Sequence, residues 1–149
     1  MFTLTKDGNL CKDGKETKPE MTVKEFMDAF GVPEEAFRIS EDGDVKSYKV
    51  QDTFYDIPCK YDFGFYEDEI IDIQLIISTE PFLDKCGDDE DIQDVQREEC
   101  LKLIEKNIKY KEKETGGKRH VMYRTKDTGI RLVQWVMQAE LSIKIDYLI

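Results

Sequence analysis

The chain holds one histidine, His120, and four cysteines, Cys11, Cys59, Cys86 and Cys100. These are the side chains of first resort for nucleophilic and metal chemistry. A single histidine excludes any two-histidine metal site, and neither H-E-x-x-H nor a Cys/His zinc set is present. A Cys–His nucleophile pair needs no proximity in sequence, because folding brings such pairs together. Cys59, directly after Pro58, is the thiol to test against His120. Cys100 falls in a helical stretch, where packing accounts for it.

Phosphate and nucleotide chemistry fare no better. No P-loop, dinucleotide fingerprint or nucleophile elbow occurs. Gly116-Gly117 beside Lys118 and Arg119 offers amides and cations to a phosphate, but a hairpin approach explains the same residues. The carboxylate runs Glu41-Asp42-Gly43-Asp44 and Asp88-Asp89-Glu90-Asp91 lack the alternating ligands, central glycine and twelfth-position Glu of a calcium loop. The expectation is a chain with no metal, no cofactor and no assignable catalytic residue, and the non-enzymatic reading is preferred.

Charge is the sharper signal. The 149 residues carry 33 acids against 22 Lys and Arg, a net −11. Residues 1–40 are net −2, residues 41–99 net −14 and residues 100–149 net +5. Nucleic acid and anionic membrane surfaces share the sign of the chain and are poor partners; a basic protein is the suspected one. Four tyrosines lie among the central acids, and aromatics set within charge are the composition of binding hot spots. The candidate binding residues are Tyr48, Tyr55, Tyr61 and Tyr66 with Glu67, Asp68, Glu69, Asp88, Asp89 and Asp91. Ordinary sheet packing competes with that reading at each tyrosine.

The elements that must position these residues follow from pattern. The first twenty residues read as a small hairpin or meander with turns at residues 6–9 and 12–15. Thr22 followed three residues on by Glu25 forms a capping box, Val23, Phe26, Met27 and Phe30 give an apolar stripe, and Gly31 stops the helix. Strands are expected at residues 46–57, 60–66 and 70–78, an antiparallel meander because the connections are too short for crossovers. Asp91 caps a longer helix to about residue 109, with Ile92, Val95, Leu101, Ile104 and Ile108 as its stripe. Residues 111–118 read as a solvated loop, 120–125 as a strand.

From Val133 to Tyr147 every second residue is apolar, and the stretch holds no Gly, Pro, Asn or Asp before Asp146. One bent strand, its odd-numbered side chains buried, is the preferred reading over two strands or a projecting one. The expected fold is α+β: a single domain over residues 1–149, with a curled, mainly antiparallel sheet of about six strands and two helices on one face. No run reaches the roughly 18 apolar residues of a membrane span, no secretory leader opens the chain, and the cysteines are expected as thiols in a reducing cytoplasm.

Three functions fit. The first is a small acidic inhibitor- or immunity-like domain that docks on a basic partner. The second is a small-molecule module or small enzyme with a pocket between sheet and helix, lined by Phe65, Trp135 and Tyr147. The third is a self-associating domain, a homodimer through a sheet edge, with the apolar Tyr147-Leu148-Ile149 covered.

Overall fold

The computed structural model describes residues 1–87, 91–117 and 119–147. A small three-stranded meander comes first: β1 (Thr3–Leu4), β2 (Leu10–Lys12) and β3 (Lys15–Glu16). Helix α1 (Val23–Phe30) follows, then the short β4 (Arg38–Ile39). Three long strands, β5 (Val45–Phe54), β6 (Ile57–Tyr66) and β7 (Glu69–Ile77), lead to α2 (Ile92–Asn107). Four more close the chain: β8 (Glu112–Thr115), β9 (His120–Arg124), β10 (Gly129–Trp135) and β11 (Glu140–Asp146).

The eight strands β4 to β11 form one antiparallel sheet in the order β4-β5-β6-β7-β11-β10-β9-β8. The expected α+β class and antiparallel meander hold. The curled sheet of about six strands does not: the main sheet is open, with β4 and β8 as separate edges, and the N-terminal strands make a sheet of their own.

Cross-strand register explains the core. Phe63, Ile73, Ile145, Ile130 and Tyr123 lie in one row across five strands, and Tyr61, Leu75, Ile143, Leu132 and Val121 in the next. All ten are buried. Opposite residues share a face, so these rows define the covered side of the sheet. The other side carries Lys49, Asp62, Gln74, Lys144 and Arg131 in a single row and is laced with ion pairs such as Arg131–Asp146 and Lys144–Asp72.

Helix α1 forms as its sequence directs. Thr22 accepts from the Glu25 amide while Glu25 accepts from the Thr22 amide, and Gly31 ends the helix at φ 65. Phe26 then points into an aromatic cluster with Phe37, Tyr48, Phe63 and Phe65. Helix α2 starts where expected, Asp91 accepting from the Gln93 amide at 2.8 Å, but it is rotated from its apolar stripe. Its buried residues are Gln93, Gln96, Cys100 and Ile104, while Ile92, Val95 and Leu101 are half-buried. The cause is a polar obligation at the end of β7: the Gln96 side-chain amide donates to the carbonyls of Ile77 and Ser78 at 2.9 and 3.0 Å. A buried carbonyl without a donor costs more than a stripe residue loses by half-exposure.

The two sheets are locked together by polar contacts. The Tyr147 hydroxyl donates to Asn9 Oδ1 at 2.7 Å and lies 2.7 Å from Thr17 Oγ1, and Asn9 donates to Asp127 at 2.8 Å. Gly8 sits here at φ 88, where a Cβ would meet Thr128 Oγ1 at 2.2 Å, so no other residue fits. At the other margin Asp52 holds both the N-terminal ammonium and Lys12. Burial alone would raise its carboxyl, but Lys12, the Thr53 amide and the N-terminus outweigh that and hold it down at about 2.

The largest correction concerns residues 133–147. They are the ends of two strands, β10 and β11, joined by the turn at residues 136–139, with Trp135 opposite Glu140. In β10 the even-numbered Ile130, Leu132 and Gln134 are buried; in β11 the odd-numbered Leu141, Ile143 and Ile145 are. Trp135 and Met137 face solvent. The apparent continuity of the alternation is accidental: across the four-residue turn each even-numbered residue of β10 pairs with an odd-numbered one of β11, so the buried face changes parity, and the apolar Val133 and Trp135 lie on the open face. Ala139 makes the turn possible by adopting φ 52, a left-handed conformation that costs an alanine about 1 kcal/mol. Ala139→Gly is therefore expected to stabilise the protein by about 0.5–1 kcal/mol, despite glycine's greater unfolded-state entropy, read as a shift in urea midpoint.

Two smaller corrections concern element bounds. The expected strand at residues 46–57 turns back at Tyr55-Asp56, φ 48 and 68, so Ile57 and Pro58 already belong to β6. The expected loop at 111–118 contains β8, an edge strand of four exposed residues.

Candidate functional site

The Cys59–His120 pair singled out for testing does not form. Cys59 lies on the covered face of β6, one step from Lys60 on the open face, and His120 shares the open-face row of Lys60 through Ile76, Ser142 and Val133. The two are on opposite faces and four strands apart, roughly 19 Å across the sheet. Burial pushes the Cys59 thiol up to about 11 and the Cys100 thiol up to about 12, the opposite of an activated nucleophile. Cys11, Cys59 and Cys100 are free thiols. Among the described residues no cluster of three or more His, Cys, Asp or Glu is placed to hold a metal ion. Lys118, proposed beside Gly116-Gly117 as a phosphate contact, lies outside the described residues.

The four tyrosines part company. Tyr61 is buried and donates its hydroxyl to the Thr53 carbonyl at 3.0 Å; burial raises its phenol pKa. Tyr48 is half-buried, stacked on Phe63 with ring centres 6.0 Å apart. Tyr55 accepts from the Leu4 amide at 2.8 Å, and burial raises its phenol too. These three work in the core, so as contact residues they are replaced by packing. Tyr66 alone is exposed, opposite the equally exposed Val45 across the β5–β6 ladder.

The candidate acids divide between the two ends of the sheet. In a meander every second turn falls at the same end, so the β4–β5 and β6–β7 turns are neighbours. A backbone bond joins them, the Glu67 amide donating to the Asp44 carbonyl at 2.9 Å. Glu41, Asp42, Asp44, Glu67, Asp68 and Glu69 thereby gather around Tyr66 and Val45, and all six acids are exposed. The arrangement is built rather than loose. Ser40 donates to Asp42 at 2.6 Å, which together with the Asp44 amide keeps that carboxyl below its usual range. The Val23 amide of α1 donates to the Asp68 carbonyl at 3.2 Å, and Ile70 donates to the Met21 carbonyl at 2.8 Å. Asp91 is elsewhere, capping α2 beside the far end of β7; Asp88 and Asp89 lie outside the described residues.

The residues missed on sequence alone are Val45 and the trio Glu41, Asp42 and Asp44 as part of the same patch. Strand count would have found them, since the two acidic turns are two turns apart in one meander. The pocket residues also separate: Phe65 is buried beneath α1, Tyr147 bonds the N-terminal meander, and Trp135 faces the open side. A groove of about 520 Å³ opens on that uncovered face between Lys49, Gln51, Lys60, Asp62, Gln74 and Ile76. Its floor is sheet and its rim mixed charge, with no convergent set of buried polar groups. At the β8 edge the exposed Glu112, Lys113 and Glu114 carry the charges that oppose edge pairing. Leu148 and Ile149 lie outside the described residues. Among the described residues no helix is long and apolar enough to cross a membrane.

Comparison with protein-family models, with curated proteins and with solved structures gave no match.

Proposed function

We propose that the chain is a small non-enzymatic binding domain that docks a basic protein through the acidic turns at one end of its sheet. The observation that carries this reading is the juxtaposition of the β4–β5 and β6–β7 turns, held by the Glu67–Asp44 backbone bond. It sets six exposed carboxylates around an aromatic and an aliphatic side chain. Tyr66 and Val45 supply the apolar centre from which water is excluded; the acids supply attraction over about 10 Å at moderate salt and select the partner. An inhibitor that blocks a basic active face is the simplest use of such a surface.

The test neutralises the acids without disturbing the turn: Glu41→Gln, Asp44→Asn, Glu67→Gln and Asp68→Asn together, leaving the hydrogen-bonded Asp42. A basic partner recovered on the wild-type protein and then purified should associate at least about 10-fold more slowly with this variant, with little change in dissociation. Tyr66→Ala should instead speed dissociation by about 10-fold or more. A partner whose association ignores both salt and the four substitutions would sink the reading.

A further inference from the structure

Alternate residues of a strand turn their backbone groups to opposite neighbours. In β5 the even-numbered residues bond β6, and the odd-numbered ones face away from the sheet. On that outer side the Val45 carbonyl accepts from the Ser40 amide at 2.9 Å, and Arg38 of β4 stands opposite Ser47. Further along, the Thr53 carbonyl accepts from the Phe2 amide at 2.9 Å, and the Tyr55 amide donates to the Phe2 carbonyl at 3.2 Å. Between these flanks lie Lys49 and Gln51, both exposed, whose two amides and two carbonyls have no hydrogen-bond partner among the described residues. The outer edge of β5 is therefore covered at both ends and open over residues 48–52, about 17 Å of strand. One side of this slot is apolar. Tyr48 and Val50 are half-buried on the covered face of the sheet. Phe30, at the end of α1, is half-buried at the same margin, 5.9 Å from Phe2 and 5.0 Å from Phe26 between ring centres.

The ladder says what fits. Two donors and two acceptors in alternation, at strand spacing, are the complement of an extended polypeptide backbone. In the antiparallel sense three residues make all four bonds. The outer two exchange bonds with Gln51 and Lys49, and the middle one turns its side chain to the side of Tyr48 and Val50. The length of the slot decides whose backbone it is. A second copy cannot enter with its own β5, because β4 and Phe2 occupy the flanks of that strand in both molecules. The free edge of a second copy, β8, would set Lys113 or Glu114 on the apolar side. What fits is a short segment that rises away from the sheet at both ends.

We infer that the open edge of β5 binds a short extended segment of another protein by strand addition, with an apolar residue at the centre of that segment. The contact is separate from the acidic turns and stands without them. The probe is a pool of acetylated, amidated seven-residue peptides of random sequence, selected on the wild-type chain. The selected peptides should share a central apolar residue and, at saturation, slow hydrogen exchange at the Lys49 and Gln51 amides at least about 10-fold. Methylating their backbone nitrogens one at a time should weaken binding about 10-fold at every second residue and little at those between. Gln51→Pro removes an amide that the fold does not use, so it should keep the exchange protection of the Phe63 and Leu75 amides and bind the peptides at least about 10-fold more weakly. If that variant does not fold, the methylation series decides alone. The four-acid turn variant should bind them as the wild type does. Peptides that bind folded Gln51→Pro equally, methylation effects without alternation, or a pool in which nothing slows exchange at Lys49 and Gln51 overturns the proposal. Protection of these amides by raised protein concentration alone assigns the edge to a second copy and overturns it as well. Affinity that falls only with the turn variant overturns it too, and leaves the acidic-turn reading standing.

Discussion

Phe26→Ala is expected to destabilise the protein by about 3–5 kcal/mol, the range for deleting a fully buried aromatic ring. Phe26 is wholly buried, and its ring centre lies 4.8 Å from Phe63, 5.0 Å from Phe30, 5.3 Å from Phe65, 5.9 Å from Tyr48 and 6.1 Å from Phe37. Two terms add. Removing the ring forfeits its burial, and the hole cannot collapse, because its walls are rings fixed to two different strands and to the chain after α1. Tilted and edge-on ring pairs contribute a further increment beyond area. Phe26→Leu keeps most of the volume and should cost about half as much or less. Urea denaturation reads both. A loss below about 1.5 kcal/mol for the alanine variant would mean that α1 is not the lid of this core.

The same substitution reaches the candidate site. The start of α1 is stitched to the acidic β6–β7 turn by the Val23–Asp68 and Ile70–Met21 backbone bonds. Loosening the helix should lower hydrogen-exchange protection at the Ile70 and Val23 amides before it affects Ile143, in the centre of the sheet. The core thus positions the carboxylates, though it contributes no charge to them.

What could be read in the sequence was local chemistry. Helix α1 was legible end to end, because capping box, stripe and stop glycine are all short-range and agree. The β5–β6–β7 meander was legible because short connections admit only antiparallel neighbours. What could not be read were turns built without glycine. Tyr55-Asp56, Glu67-Asp68 and Ala139 all take positive φ, yet only the Glu67-Asp68 turn announced itself, by polarity. At Tyr55 the hydroxyl's bond to Leu4 anchors the strained residue, and no local rule reports a partner 51 residues away. Edge strand β8 is charged on both faces, so it carries no alternation to find. The acidic patch needed topology: its two halves are separated by the whole of β5 and β6, and only the parity of turns in a meander unites them. The rotated α2 face was hidden for the opposite reason, since its stripe was real but a glutamine's duty to two carbonyls overrode it.

The hairpin reading of residues 133–147 makes the second large prediction, and it separates hairpin from single strand with two substitutions. In one continuous strand Met137 and Leu141 would share a buried face and behave alike. In the hairpin Met137 is almost fully in water and Leu141 wholly out of it, packed in the row of Cys59, Ile77 and Gln134. Each Asp substitution adds the same single negative charge to an already acidic chain, so the long-range electrostatic cost is common to both and cancels in the comparison. What remains is desolvation. Leu141→Asp places a carboxylate at a wholly buried position beside Ile77, a change expected to cost more than about 4 kcal/mol and to leave the protein largely unfolded near neutral pH. The buried carboxyl would ionise only on unfolding, so the variant should regain stability as pH falls and the carboxyl takes up its proton. Met137→Asp should shift stability by no more than about 0.5 kcal/mol at any pH. Circular dichroism against temperature at about pH 5 and about pH 7.5 reads both variants. Equal destabilisation of the two would restore the continuous strand and remove the exposed tip from the surface of this protein.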